Sequence, residues 1–165
     1  MARNAVRSVL LICLVMLTAC AAGMSPQARS QVSYMGTFEE LQQAPDRYTG
    51  ETVILGGKVI ETQVTAGATE LVVLQLELNS SDQPRDNDQS RGRYLVISSQ
   101  FLDPALYPQG TLITVVGTVR GGRAMPIGQL MYTYPVIDLV ELKKWSPQSL
   151  ESPRFQFGIG VGTHF

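Results

Sequence analysis

The sequence predicts an all-β fold: a small five-stranded, OB-like barrel with a short N-terminal helix and an extra C-terminal strand or tail. Three observations predict it. Five runs rich in Val, Ile, Thr and Tyr lie between residues 52 and 142, and these residue types suit a pleated, half-buried surface. Glycine pairs at Gly56-Gly57 and Gly121-Gly122 punctuate the runs, as a small sheet needs where it bends or turns to close. A polar interval over 79–91 separates the second run from the third, giving strand, strand, long loop, strand, strand, strand. The span 34–145 is large enough for one core.

Residues 1–19 precede this domain and read as a signal peptide. Arg3 and Arg7 form a positive start, and Val9 to Leu17 is an apolar run of nine residues. That is too short for a membrane helix, which needs ~20. Leu17-Thr18-Ala19-Cys20 follows directly and resembles the lipobox of bacterial lipoproteins. The resemblance implies that the Cys20 thiol carries diacylglycerol and that Cys20 becomes the first mature residue. One acyl chain holds a protein only marginally, whereas several anchor it stably. By the same resemblance, Ala21 lacks the aspartate of inner-membrane retention, which implies the outer membrane. Cys13 leaves with the signal, so no thiol remains for a disulfide, redox or metal site. Loss of Arg3 and Arg7 takes the 13 basic side chains to 11, against 14 acidic, so no polybasic membrane patch is indicated.

Residues 20–33 read as the lipidated cysteine and a tether. The stretch 21–32 is small, polar and patternless, and its twelve residues extend at most ~40 Å. Thr37-Phe38-Glu39-Glu40 is a capping box, Thr37 as N-cap and Glu40 at N3. It predicts a short helix with Phe38 and Leu41 on one face, stopped at Pro45-Asp46. Glu39 and Glu40 complement the helix dipole and need no catalytic explanation.

The first strand is expected over 52–60, bent at Gly56-Gly57. That pair has neither the Gly-Lys-Ser/Thr nor the G-x-G-x-x-G pattern of a phosphate loop. Further strands are expected over 69–78, 92–98, 110–120 and 129–142, with Gly121-Gly122-Arg123 turning the chain. In the fourth, Ile113, Val115 and Val119 share one face, and Thr114 and Val116 the other. Pro135 places the fifth at an edge or bulge. Tyr132, Tyr134 and Trp145 read as core or barrel-end plugs.

Residues 146–154, with Pro147 and Pro153, read as a linker. The final segment 155–165 alternates almost perfectly: Phe155, Phe157, Ile159, Val161 and Phe165 share one face, opposite Gln, Gly and His. Its length matches a membrane-spanning strand. A single strand in lipid leaves its edges unpaired, so a functional role needs company: an envelope protein partner or a second copy of the chain. The plainer expectation is a terminal strand or a glycine-rich tail.

Composition and motifs exclude much else. A structural zinc site needs four Cys/His-type ligands, and the chain has 2 Cys and 1 His. Asp86-Asn87-Asp88 starts like a calcium loop, but Arg91 stands at the turn glycine and Ile97 at the closing glutamate. There is no G-x-S-x-G and no H-E-x-x-H. No catalytic residues, metal or cofactor are therefore expected, and the chain is not expected to be an enzyme. Arg91, Arg93, Arg120 and Arg123 are diluted by Asp82, Asp86 and Asp88, so nucleic acid is not an expected partner.

Gly92-Arg93-Tyr94, Phe101-Leu102-Asp103-Pro104, Tyr107, Gly110, Thr114-Val115-Val116-Gly117, Ile127-Gly128, Tyr132-Thr133-Tyr134-Pro135-Val136 and Trp145 together are similar to the Slp family of starvation-inducible outer-membrane lipoproteins of Gram-negative bacteria. The segment 48–60 fits as well. The resemblance implies an anchored envelope protein with no established enzymatic activity, tied loosely to stationary phase or stress, and it carries no ligand set. The sequence thus predicts an outer-membrane lipoprotein, facing the periplasm, with a non-enzymatic structural or interaction role in the envelope. The alternative is a module binding a small envelope ligand or glycan at the barrel mouth or loop 79–91.

Overall fold

The computed structural model describes residues 23–87 and 89–146. Five strands form a closed barrel: β1 (Thr52–Thr65), β2 (Ala68–Leu76), β3 (Arg93–Ser98), β4 (Leu112–Ile127) and β5 (Leu130–Trp145). They run around the barrel in the order β1-β2-β3-β5-β4, and β4 closes back onto β1. Every pairing is antiparallel except β3 with β5. A five-stranded barrel in this order is the OB arrangement that the strand pattern predicts.

One helix plugs the barrel. Thr37 Oγ1 accepts a hydrogen bond from the Glu40 amide, and the Glu40 carboxylate accepts one from the Thr37 amide. This capping box starts α2 (Phe38–Gln43), which a shorter helix α1 (Pro26–Ser30) precedes. The helix stops before Pro45, as expected, and a 3-10 turn over Pro45–Tyr48 follows. Phe38 and Leu41 enter a core with Val53, Leu55, Val59, Leu71, Val73, Tyr94, Val96, Ile113, Val115, Val119 and Ile137. The interior is thus filled by side chains, as in small barrels generally. The Tyr94 hydroxyl is buried with no hydrogen-bond partner among the described residues. Burial pushes this phenol well above its ordinary range, and an unpaired buried hydroxyl costs about 1–3 kcal/mol.

Both outer faces of the sheet are also covered. β4 and β5 run on together past the barrel, and Met125, Ile127, Tyr132 and Tyr134 pack on Val72, Leu95 and Ile97. This explains why 71–74 and 94–97 are continuous apolar runs rather than alternating ones. An Arg123–Glu70 ion pair at 2.7 Å and the bond from the Arg93 amide to the Tyr132 hydroxyl pin the hairpin in place. On the other side, Met24, Ala28 and Val32 lie over Val116 and Ile54.

Two expectations need correction and a third is sharpened. Gly121-Gly122-Arg123 does not turn the chain. It lies inside β4, where a register shift leaves Arg120 unpaired and Gly121 takes φ 130°. The turn comes at Gly128, φ 59°. Pro135 pairs with Gly122 next to that shift, in line with its predicted place at a bulge. At Gly56-Gly57, where a bend is expected, the strand carries no bulge. Both residues pair in register with β2 and β4, and the β1 shift falls between Val59 and Glu61. The glycines instead permit close approach. A Cβ on Gly57 would lie 2.4 Å from the Leu74 carbonyl oxygen. Finally, the described part of the expected tether is not free: from Met24 onward it is docked on the barrel. Ser25 caps α1 with Pro26 in its first turn, and Met24 and Ala28 are each only 3% exposed.

Candidate functional site

Cys20 and the apolar face Phe155, Phe157, Ile159, Val161 and Phe165 lie outside the described residues. The site must therefore be sought on the barrel. OB barrels bind oligonucleotides and oligosaccharides on the strand 2–3 face. Here the protein's own β4–β5 hairpin occupies that face. The arginines weighed as a basic patch are mostly paired. Arg91 bonds Glu39 and Glu77, Arg120 bonds Asp138, and Arg123 bonds Glu70. The guanidinium of Arg91 draws the Glu39 carboxyl below its ordinary pKa. Asp86, at the start of the calcium-like stretch, is ion-paired with Lys58.

An open cleft of about 850 Å³ lies at one end of the barrel. Two connections and the end of β5 build it. Pro84 and Arg85 come from the β2–β3 connection, and Leu106 and Gln109 from the β3–β4 connection. Lys144 and Trp145 come from β5. Aromatic and aliphatic surface therefore meets amides and cations, a mixture suited to an amphipathic contact. Trp145 Nε1 donates to Thr114 Oγ1 at 3.0 Å, which fixes the indole at the rim. Lys144 Nζ donates to the Leu106 carbonyl at 3.2 Å and ties the two walls together. Among the described residues, the groups with displaced pKa values are Tyr34, raised by burial to about 12, and Glu39, Arg91 and Tyr94. None of these four lines the cleft.

Beside the cleft the N-terminal segment is clamped. Asp82, buried and at φ 61°, accepts from the Met24 amide at 3.0 Å and pairs with Arg29 at 2.8 Å. Its own carbonyl accepts from the Thr114 hydroxyl. Glu141 accepts from the Ser25 amide at 2.9 Å and from the Ser25 hydroxyl. Lys143 Nζ donates to the Gly23 carbonyl at 2.8 Å and lies 4.6 Å from the Trp145 ring centroid. In the sequence Asp82 counts only as an acid that dilutes the nearby arginines, and nothing marks Lys143. What gathers them is a loop and a strand end that sequence leaves 61 positions apart, and no local pattern marks that meeting.

Comparison with known proteins covers most of the chain. A family model described as "Outer membrane lipoprotein Slp family" matches residues 17–159. The chain belongs to the Slp family. It is accordingly an outer-membrane lipoprotein, as the signal and lipobox predict. Among Slp-family relatives, it is 35% identical over 102 residues to the "Uncharacterized lipoprotein YeaY" of Escherichia coli, covering 62% of this chain and 52% of that protein. It is 27% identical over 131 residues to the "Outer membrane protein Slp" of the same organism, covering 79% and 69% respectively. The chain thus spans about half the length of YeaY. A solved Schizosaccharomyces pombe structure, Pot1pC bound to ssDNA, aligns with a TM-score of 0.31 and 12% identity, over 62% of this chain and 83% of that one. At that level the likeness says nothing about what the Slp-family barrel binds.

Proposed function

We propose that this protein is a non-enzymatic interaction module of the cell envelope. It is held by lipid at Cys20 and faces the periplasm, and its contact site is the end cleft. One observation carries this reading. The barrel interior is filled and the strand 2–3 face is covered by the chain's own hairpin, while the end cleft stays open with a mixed aromatic, amide and cationic lining. The resemblance to starvation-inducible lipoproteins suggests that demand for the module peaks in stationary phase or under stress. The alternating segment 155–165 gives a second point of assembly, to an envelope partner or another copy.

The test is site-specific photocrosslinking in living cells. A photoreactive residue at Gln109, in the cleft wall, should give discrete adducts with an outer-membrane component. The same residue at Leu130, on the distal hairpin tip, should not. Equal labelling at both positions, or none at Gln109, would count against the cleft. A second reading, binding of a small glycan, is favoured by the single Trp145 beside Asn79, Gln83 and Gln109. It predicts a saturable change in Trp145 emission on titration with soluble envelope glycan fragments.

A further inference from the structure

The clamp on Gly23 bears on more than stability. Cys20 stands three residues before Gly23, a reach of at most ~11 Å even when fully extended. Gly23 is held by Lys143, and the same ammonium sits on Trp145. A lipid on Cys20 would therefore lie within that reach of the Trp145 corner of the barrel. The expected twelve-residue leash is reduced to a quarter of its length.

The corner also has the composition of an interfacial surface. Trp145 offers an apolar ring with a polar N–H, the type of side chain enriched where lipid meets water. Leu106 is 58% exposed beside it, and Arg85 and Lys144 flank them. Such cations can reach lipid phosphates while their stems cover apolar surface. Ser146, which leads into the segment ending in Phe165, lines the same cleft. Both termini of the barrel thus leave at one corner. The hairpin tip, with Leu130 75% and Met131 70% exposed, is at the far end of the 16-residue strand β5, up to ~50 Å along it.

We propose that residues 23–32 form a strap that seats the barrel on the membrane in one orientation, with the Trp145 corner and its cleft against the lipid surface. The proposal rests on Cys20 as the lipidated residue, and it narrows the cleft's surroundings to what lies at the bilayer surface.

Trp145 is the single tryptophan of the chain, so the native protein carries its own depth reporter. Full-length lipidated protein would be placed in phosphatidylethanolamine–phosphatidylglycerol vesicles containing phospholipid brominated high on the acyl chain. Trp145 emission should be strongly quenched. Insertion of about ten Gly/Ser residues between Ala22 and Gly23 adds an r.m.s. span of roughly 17 Å. It leaves the strap intact and should abolish most of the quenching without moving the thermal midpoint. A Met131→Trp reporter in a Trp145→Phe background should stay unquenched.

Quenching at Met131→Trp equal to that at Trp145 would overturn the orientation. Quenching at Trp145 that survives the insertion would overturn the strap and point to segment 155–165 as what holds the corner down. Intact mass of the same sample separates the two levels: a Cys20 without lipid refutes the anchoring on which the proposal rests, whatever the fluorescence shows.

Discussion

Gly57→Val should prevent the barrel from closing. Gly57 sits where β1 is paired on both edges, with Gln75 of β2 and Ile113 of β4. A Cβ there would lie 2.4 Å from the Leu74 carbonyl oxygen, 2.4 Å from Val73 Cγ1 and 3.2 Å from the Tyr94 hydroxyl. The first of these is backbone in a hydrogen-bonded ladder and cannot rotate away. Overpacking ordinarily costs ~1–3 kcal/mol, and here relief requires parting β1 from β2. The expected cost is at or above the top of that range, a large share of the ~5–15 kcal/mol that a domain has. Urea unfolding should show a collapsed midpoint or no folded baseline. Gly67→Ala is the control, because Gly67 has φ 102° but nothing within 4 Å of a new Cβ. That substitution should cost only about 1 kcal/mol. Equal midpoints for the two variants would show that close approach at Gly57 is not what shapes the barrel.

The second large effect is expected at Asp82. Its side chain is 4% exposed and joins the Met24 amide to Arg29. Asp82→Ala leaves the buried Met24 N–H without an acceptor, while Arg29, 54% exposed, returns to water. The unmade hydrogen bond sets the scale, so the expected loss is about 2 kcal/mol, or roughly 5–10 °C in Tm for a domain of this size. The local effect should be larger still. Without Asp82 the strap keeps the contacts of Gly23 and Ser25 and the packing of Met24, Ala28 and Val32. Limited trypsin digestion should therefore cut at Arg29 much faster than in the parent protein. Asp82→Asn keeps an acceptor for Met24 and tolerates the left-handed backbone, so it should fall between the two. Unchanged cleavage at Arg29 in Asp82→Ala would mean that the carboxylate does not hold the strap.

Particular residues show what could be read from the sequence. The capping box at Thr37 marked α2 because both partners are local, three residues apart. The strand cores were readable because their side chains alternate or run continuously apolar. Ile113, Val115 and Val119 face inward and Thr114 and Val116 outward, as their spacing predicts. The extent of β4 was not readable. Glycine pairs mark turns and bulges alike, and only pairing across the sheet shows that Gly121 belongs to a bulge. The strap did leave a faint trace: Met24, Ala28 and Val32 recur at four-residue spacing behind a Ser-Pro helix start. Three apolar residues among polar ones do not announce a docked face. The cleft left no trace, since its walls come from two loops and a strand end. Trp145, expected as a core or barrel-end plug, stands at the cleft rim, and its tie to Gly23 through Lys143 exists only in the fold.

The proposed anchor is a lipid on Cys20 that carries an OB-like barrel on the outer membrane. Intact mass spectrometry of the protein extracted from outer membranes tests it most directly. The account predicts a mature chain beginning at Cys20, heavier than its polypeptide by a diacylglyceryl group and an additional acyl chain, and a Cys20→Ser chain that keeps its signal and gains no lipid. An unmodified chain, or one beginning elsewhere yet still bound to the outer membrane, would contradict it.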